Sequence, residues 1–203
     1  MKRVIILNFR ILKPYIRRDF DSWPLRLRLH SEIHSKCVQS KLNNYLNLSS
    51  FERSSIDYVY LRPEHVFVIN YLCKTYFWTG IDVTECLQYP DYTCVALYRK
   101  IIIGFAFIVP NSSYQEDYLS FIFVHPNWRQ SGIAKYMLYR LANTNVKNEL
   151  VLHVSVSNTQ AVLLYQKFGF KIKEYIKHFY DKYYFDEKYD SINKDAFLMK
   201  LTR

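Results

Sequence analysis

Val124-His125-Pro126-Asn127-Trp128-Arg129-Gln130-Ser131-Gly132-Ile133-Ala134 joins two kinds of periodicity, and its reading decides the fold. Before it, Tyr118–Val124 (YLSFIFV) is apolar on nearly every residue, the pattern of a central strand covered on both faces. Pro126 stops that strand, and Ser131 is the expected cap of a helix. In the helix Ile133, Met137 and Leu141 form one stripe, with Ala134 and Leu138 beside it. A strand that turns straight into a helix aims the helix's unpaired backbone N–H groups, and its positive dipole end, at one spot. Such a spot holds an anion. Gly132 keeps bulk away there, and Arg129 adds a full charge with several donors. The plainer reading is an ordinary strand–helix turn with a surface arginine.

Working outward, Leu150–Val156 alternates, with Leu150, Leu152, Val154 and Val156 on one side and His153 and Ser155 on the other. Asn158 opens a second helix whose Ala161, Leu164, Tyr165 and Phe168 share a face, and Gly169 ends it. Lys171–Phe179 and Ala196–Leu201 read as closing strands. Upstream, Ile56–Leu61 suits a strand, Pro63 opens a helix to about Phe77, and Thr84–Gln88 suits a short helix. Thr93–Tyr98 and Ile101–Val109 flank Arg99-Lys100 as an antiparallel pair with a tight turn. The order predicts a three-layer α/β domain over residues 55–203, built on a mixed sheet. Residues 1–54 read as a basic, partly ordered arm with one helix near Leu27–Asn47.

Composition narrows the function. With 203 residues, half of them hydrophobic, the chain has ample material for one core. Its four glycines (Gly80, Gly104, Gly132 and Gly169) are too scattered for a dinucleotide fingerprint or a Walker loop. Cys37, Cys73, Cys86 and Cys94 form no C-x-x-C pair, so buried reduced thiols are expected. His30 and His34 stand four apart, but without a third ligand they predict no metal. No apolar run reaches the ~18 residues of a membrane span, and Asn8 and Arg10 cut short the N-terminal apolar stretch. The expectation is an intracellular, soluble protein with no membrane contact. Of the +10 formal charge, residues 1–55 supply 11 Lys/Arg against 4 Asp/Glu. These are dispersed, which argues against direct nucleic-acid binding.

Arg129-x-x-Gly132-x-Ala134 resembles the acetyl-coenzyme-A loop Q/R-x-x-G-x-G/A of the GNAT family of N-acetyltransferases. Asn158-Thr159-Gln160-Ala161-Val162-Leu163-Leu164-Tyr165-Gln166-Lys167-Phe168-Gly169-Phe170 resembles that family's second motif, N-x-x-A-x-x-L-Y-x-x-x-G-F. The resemblance implies the GNAT fold, a mostly antiparallel mixed sheet flanked by helices. Flanking segments Cys86–Asp91, Ser120–Pro126 and Phe179–Tyr184 are similar to the lysine acetyltransferase group of the ATAC chromatin co-activator complex. That similarity implies a nuclear location, a place in a co-activator complex and a histone-tail substrate.

It also implies site roles. Acetyl-CoA is the co-substrate, with no metal. Backbone groups of Phe123 and Val124 align the pantetheine arm, Arg129, Gln130, Ser131, Gly132, Ile133 and Ala134 cradle the pyrophosphate, and Asn158 stands beside pantetheine. Tyr165 matches the tyrosine that gives a proton to the departing thiolate, the favoured reading, and its place on the apolar helix face also suits core packing. The family's usual base position falls at Tyr118, not a carboxylate, so Asp117, with Glu116 beside it, is the candidate base. His125 and His153 are further candidates because the imidazole side chain ordinarily changes charge near neutrality, although a lone histidine in a strand is more often structural. Asp186, Glu187 and Asp190 form an acidic loop suited to a cationic peptide. With no standard base in place, a GNAT-fold scaffold subunit that binds coenzyme A without turnover is the alternative.

Overall fold

The computed structural model describes residues 5–7, 10–41, 54–110, 116–145, 147–184 and 193–202. Strands β1 (Ile5–Leu7) and β2 (Arg10–Leu12) pair only with each other. An eight-stranded sheet then forms from β3 (Arg17–Asp19), β4 (Ile56–Val59), β5 (Thr93–Tyr98), β6 (Ile101–Val109), β7 (Glu116–Val124), β8 (Glu149–Ser155), β9 (Lys171–Ile176) and β10 (Ala196–Thr202). Its order is β3-β4-β5-β6-β7-β8-β10-β9. Every neighbouring pair is antiparallel except β7 with β8.

Helix α2 (Pro63–Tyr76) covers one face and α3 (Ile133–Thr144) the other. Strand side chains alternate between two cores as a period-2 backbone dictates. Val95, Phe105, Phe107 and Phe123 pack with Ile69 and Cys73 of α2. Cys94, Ala96, Ala106 and Ile108 pack with Ile133, Met137, Leu138 and Leu141 of α3. Tyr165 of α4 (Thr159–Lys167) belongs to the α3 cluster, together with Leu152, Val154 and Met199. The expected α3 stripe is therefore its buried face, and truncating one such leucine costs about 2–5 kcal/mol. The tight turn is also as expected: Arg99 and Lys100 both adopt positive φ (48° and 69°), the twist that suits a two-residue hairpin.

Several elements differ from the sequence reading. The arm's helix, α1, runs Leu25–Lys41, and the arm also donates β3 to the sheet edge. No apolar alternation announces β3, because its pairing is held by backbone bonds and by Arg18 on Asp57 at 3.3 Å. Thr84–Gln88 is a 3-10 turn. Strand β9 stops at Ile176, three residues early, since His178 has φ +56° and turns the chain. Ser131 does not cap α3; its hydroxyl donates to the Trp128 carbonyl at 2.5 Å. The cap position is Gly132, at φ +83°, with no side-chain hydrogen bond.

Candidate functional site

Among the described residues the sheet has one parallel pair, β7 with β8, and it comes apart partway along. β7 and β8 are in register for three residues, Glu116–Tyr118 against Glu149–Val151, and then part. Beyond that point β7 pairs with β6 alone and β8 with β10 alone. The parting leaves a cleft edged by the backbone of Phe123 and Val124, where an extended amide-bearing ligand can add as a strand. Gly104 lets β6 pack tightly behind: a Cβ there would stand 2.9 Å from the Phe123 carbonyl oxygen.

β7 also carries a bulge. Phe107 lies opposite Phe121 and Ile108 opposite Leu119, so Ser120 is the extra residue. Leu119 consequently faces the α3 core, while Phe121 and Phe123 face the α2 core.

At the open end of the cleft Val124 runs through a 3-10 turn, Pro126–Trp128, into α3. His125 accepts from the Asn127 N–H at 3.3 Å and shapes that turn. Arg129 Nε donates to the Val124 carbonyl at 3.2 Å, which ties an exposed guanidinium to the strand end. Gln130 (φ +59°) and Gly132 (φ +83°) take left-handed backbone, curling residues 129–134 into a concave turn. A Cβ at Gly132 would meet nothing closer than Ser22 Oγ at 3.9 Å, so the glycine serves the backbone angle and leaves room above the first amides of α3. With no side chain capping those amides, the turn fits a diphosphate in both charge and donor geometry.

Where the strands part, Tyr118 Oη and His153 Nδ1 are hydrogen-bonded at 2.9 Å. Burial, then the nearby positive charge of Lys182, hold His153 below its ordinary value. The imidazole is therefore neutral at physiological pH and can take a proton. Burial pushes the Tyr118 phenol up to about 12, with the nearby Tyr183 phenol adding to it. Tyr165 is 5% exposed, its ring lies 5.6 Å from that of Phe170, and burial, then Tyr118, raise its pKa well above the usual phenol range. It is thus both a core side chain and a phenol that keeps its proton.

The structure does not bring Asp117 to this cleft. Its neighbour Tyr118 points to one face and Asp117 to the other, fully buried and paired with Lys147 Nζ at 2.9 Å. Glu116 lies at the base of the sheet, near Lys200 (3.5 Å). Asn158 caps α4, accepting from the Ala161 N–H at 3.2 Å. Asp186, Glu187 and Asp190 lie outside the described residues.

The residues that the motifs missed are aromatic. Trp78, after α2, stacks on Tyr183 at 4.3 Å between centroids and 22° between planes. Phe121 (6.0 Å) and Tyr180 (6.2 Å) flank the same indole. Phe179 stacks on His153 at 4.0 Å and 14°. The polar side of an alternating strand, carrying one histidine, was the available signal for His153. Burial pushes the thiols of Cys73 and Cys94 up to about 12, unlike the lowered value a nucleophile needs. Among the described residues no three His, Cys, Asp or Glu side chains gather as a metal site, and no helix is long and apolar enough to cross a membrane.

Comparison with known proteins agrees with this geometry. The chain is 50% identical over 194 residues to human cysteine-rich protein 2-binding protein and 48% identical to the mouse protein. The match takes in 96% of this chain but 24% of the relatives, so the chain spans about a quarter of their length. Among solved structures, Arabidopsis thaliana Naa50 in complex with the bisubstrate analogue CoA-Ac-MVNAL superposes with a TM-score of 0.63 at 20% identity, covering 73% of this chain and 99% of that one. Arabidopsis thaliana NAA60 in complex with acetyl-CoA gives 0.56 at 18% identity, covering 73% and 99%. These two share the fold. Residues 50–170 match the sequence profile of the acetyltransferase (GNAT) family, and the chain belongs to that family.

Proposed function

We propose that this chain is an acetyl-CoA-dependent N-acetyltransferase that moves the acetyl group to a protein amine by direct attack within a ternary complex. The observation that carries the reading is the Tyr118–His153 hydrogen bond, a neutral proton acceptor set at the apex of the cleft. When bound, acetyl-CoA supplies an activated acetyl thioester. The edge of Phe123 and Val124 takes the pantetheine amides as an added strand, beside the α4 cap at Asn158. Arg129, Gln130, Ser131, Gly132, Ile133 and Ala134 wrap the diphosphate with backbone amides and one guanidinium.

An attacking amine must shed a proton, and the Tyr118 hydroxyl takes it while passing its own to His153 Nδ1. On the leaving side Tyr165 donates a hydrogen bond to the sulfur. Its pKa lies far above the ~8.5 of an ordinary thiol, so it steadies the thiolate without surrendering its proton outright.

The acceptor we assign is the lysine amine of a histone tail, in a nuclear co-activator complex; support for this comes from the resemblance of the flanking segments to ATAC-type acetyltransferases. The acidic Asp186, Glu187 and Asp190 would draw a basic tail toward the cleft. Steady-state acetylation of histone-tail peptides, with coenzyme-A calorimetry alongside, tests the reading. Turnover that is lost in Tyr118→Phe and His153→Gln while coenzyme-A affinity holds would support it. Coenzyme-A binding with no turnover on any peptide amine would instead favour a scaffold subunit. The hydrogen-bonded Tyr118–His153 pair is the specific observation against that second reading, because a scaffold has no use for a proton acceptor in the cleft.

A further inference from the structure

The loop after β9 reaches back over His153 and contributes two unlike groups. Phe179 lays its ring on the imidazole, 4.0 Å between centroids and 14° from parallel. Lys182 sets its ammonium 4.7 Å from the centroid of that same ring and 4.9 Å from the Tyr183 ring. Tyr183 is in turn stacked on Trp78, which anchors the loop to the end of α2. A cation on two aromatic faces is attracted by their quadrupoles, so the lysine has a defined seat and not a sweep through solvent.

We infer that Phe179 and Lys182 are positioning residues for the proton acceptor: the ring fixes the plane of the His153 imidazole against Tyr118, and the seated ammonium keeps a positive charge beside it. This rests on the reading that His153 takes the amine proton through Tyr118. A positive neighbour disfavours the imidazolium, and that is the direction seen for His153, with burial the larger cause and Lys182 the second. The other groups shown against the imidazole carry no charge: Tyr118 on β7, whose phenol burial pushes up to about 12, the stacked Phe179 ring, and Leu198, opposite on β10. Tyr180 and Tyr183 of the loop stand near Tyr118. The nearby Asp181 is engaged by His178 (3.2 Å) and Lys194 (3.9 Å). Lys182 is thus the charge that tunes this histidine. The site gains a base that stays unprotonated into mildly acidic conditions, where an unassisted histidine begins to fail.

The test uses proton NMR titration of the His153 ring together with kcat/KM against pH, in the full chain. Lys182→Met should move the His153 midpoint upward and cut kcat/KM at pH 6 about threefold, leaving pH 8.5 nearly unchanged. Lys182→Arg should restore both. Phe179→Leu, which keeps an apolar contact without a flat ring, should lower kcat several-fold at every pH while coenzyme-A affinity stays the same. Lys182 is exposed, so a folding defect is not expected, and thermal unfolding checks this. A His153 midpoint unmoved by Lys182→Met overturns the inference. A midpoint that moves as expected, in a wild-type chain that acetylates no peptide amine, upholds the clamp and rejects the acetyltransferase reading.

Discussion

The two halves of the cleft are built from different materials. The half proposed to hold the acetyl donor, from Phe123 to Ala134, is mostly backbone: a strand edge, a turn with two left-handed residues and the first amides of α3. The half proposed to receive the amine is mostly side chain, with Tyr118 on β7, His153 on β8, and Phe179, Lys182 and Tyr183 in the loop after β9. Backbone sites need particular residues at particular spacings, so they leave a contiguous motif. Side-chain sites need only that distant residues meet, and they leave none.

That contrast can be broken or sharpened by substitution. The largest effect is expected at Gly132. Replacing it with Val puts a β-branched side chain at φ +83° and crowds the amides above it, so coenzyme-A affinity should fall at least about 100-fold, with stability lower by roughly 1–3 kcal/mol. Calorimetry and thermal unfolding measure the two losses, and wild-type affinity in this variant would refute a backbone-built donor half. Next come Tyr118→Phe and His153→Gln, each expected to lower kcat roughly 10²–10³-fold with coenzyme-A affinity retained. If either weakened coenzyme-A binding as much as turnover, the division between halves would fail.

Tyr165→Phe should reduce kcat about tenfold, the scale of one hydrogen bond to a developing charge. Stopped-flow measurement of thiol release reads it directly. With pH, kcat/KM should rise from the acid side as His153 loses its proton. Because that pKa lies below the ordinary value of 6.5, the rise should be complete by neutrality. A rise centred above 7 would exclude His153 as the acceptor. The smallest expected effect is charge reversal at Asp186, Glu187 and Asp190: a several-fold higher peptide KM at low salt, fading as salt screens the attraction.

How legible each part was follows from the same distinction. Thr93–Tyr98 and Ile101–Val109 were readable to the residue, because alternation and a polar turn define a hairpin locally. So was the α3 face. Strand β3 was not, since an edge strand held by backbone bonds and an Arg18–Asp57 pair shows no apolar rhythm. Ser131 has the right side chain for a cap, yet the left-handed turn at Gln130 and Gly132 sends its hydroxyl to Trp128 instead. Asp117 was a reasonable candidate on chemistry alone, and only the pleat shows that it looks away from the cleft toward Lys147. Tyr118 stood at the family's base position, but its usefulness depends on an imidazole 35 residues further along.

The spare residue at Ser120 has a consequence for that choice of acceptor. If β7 kept its length but ran in strict alternation from Phe121 back to Glu116, each side chain before the kink would turn over. Leu119 would leave the α3 core, the phenol would take its place beneath the sheet, and the carboxylate of Asp117 would swing up into the opening. A single irregularity in strand parity thus decides whether the cleft presents a carboxylate or a hydroxyl leaning on a ring nitrogen.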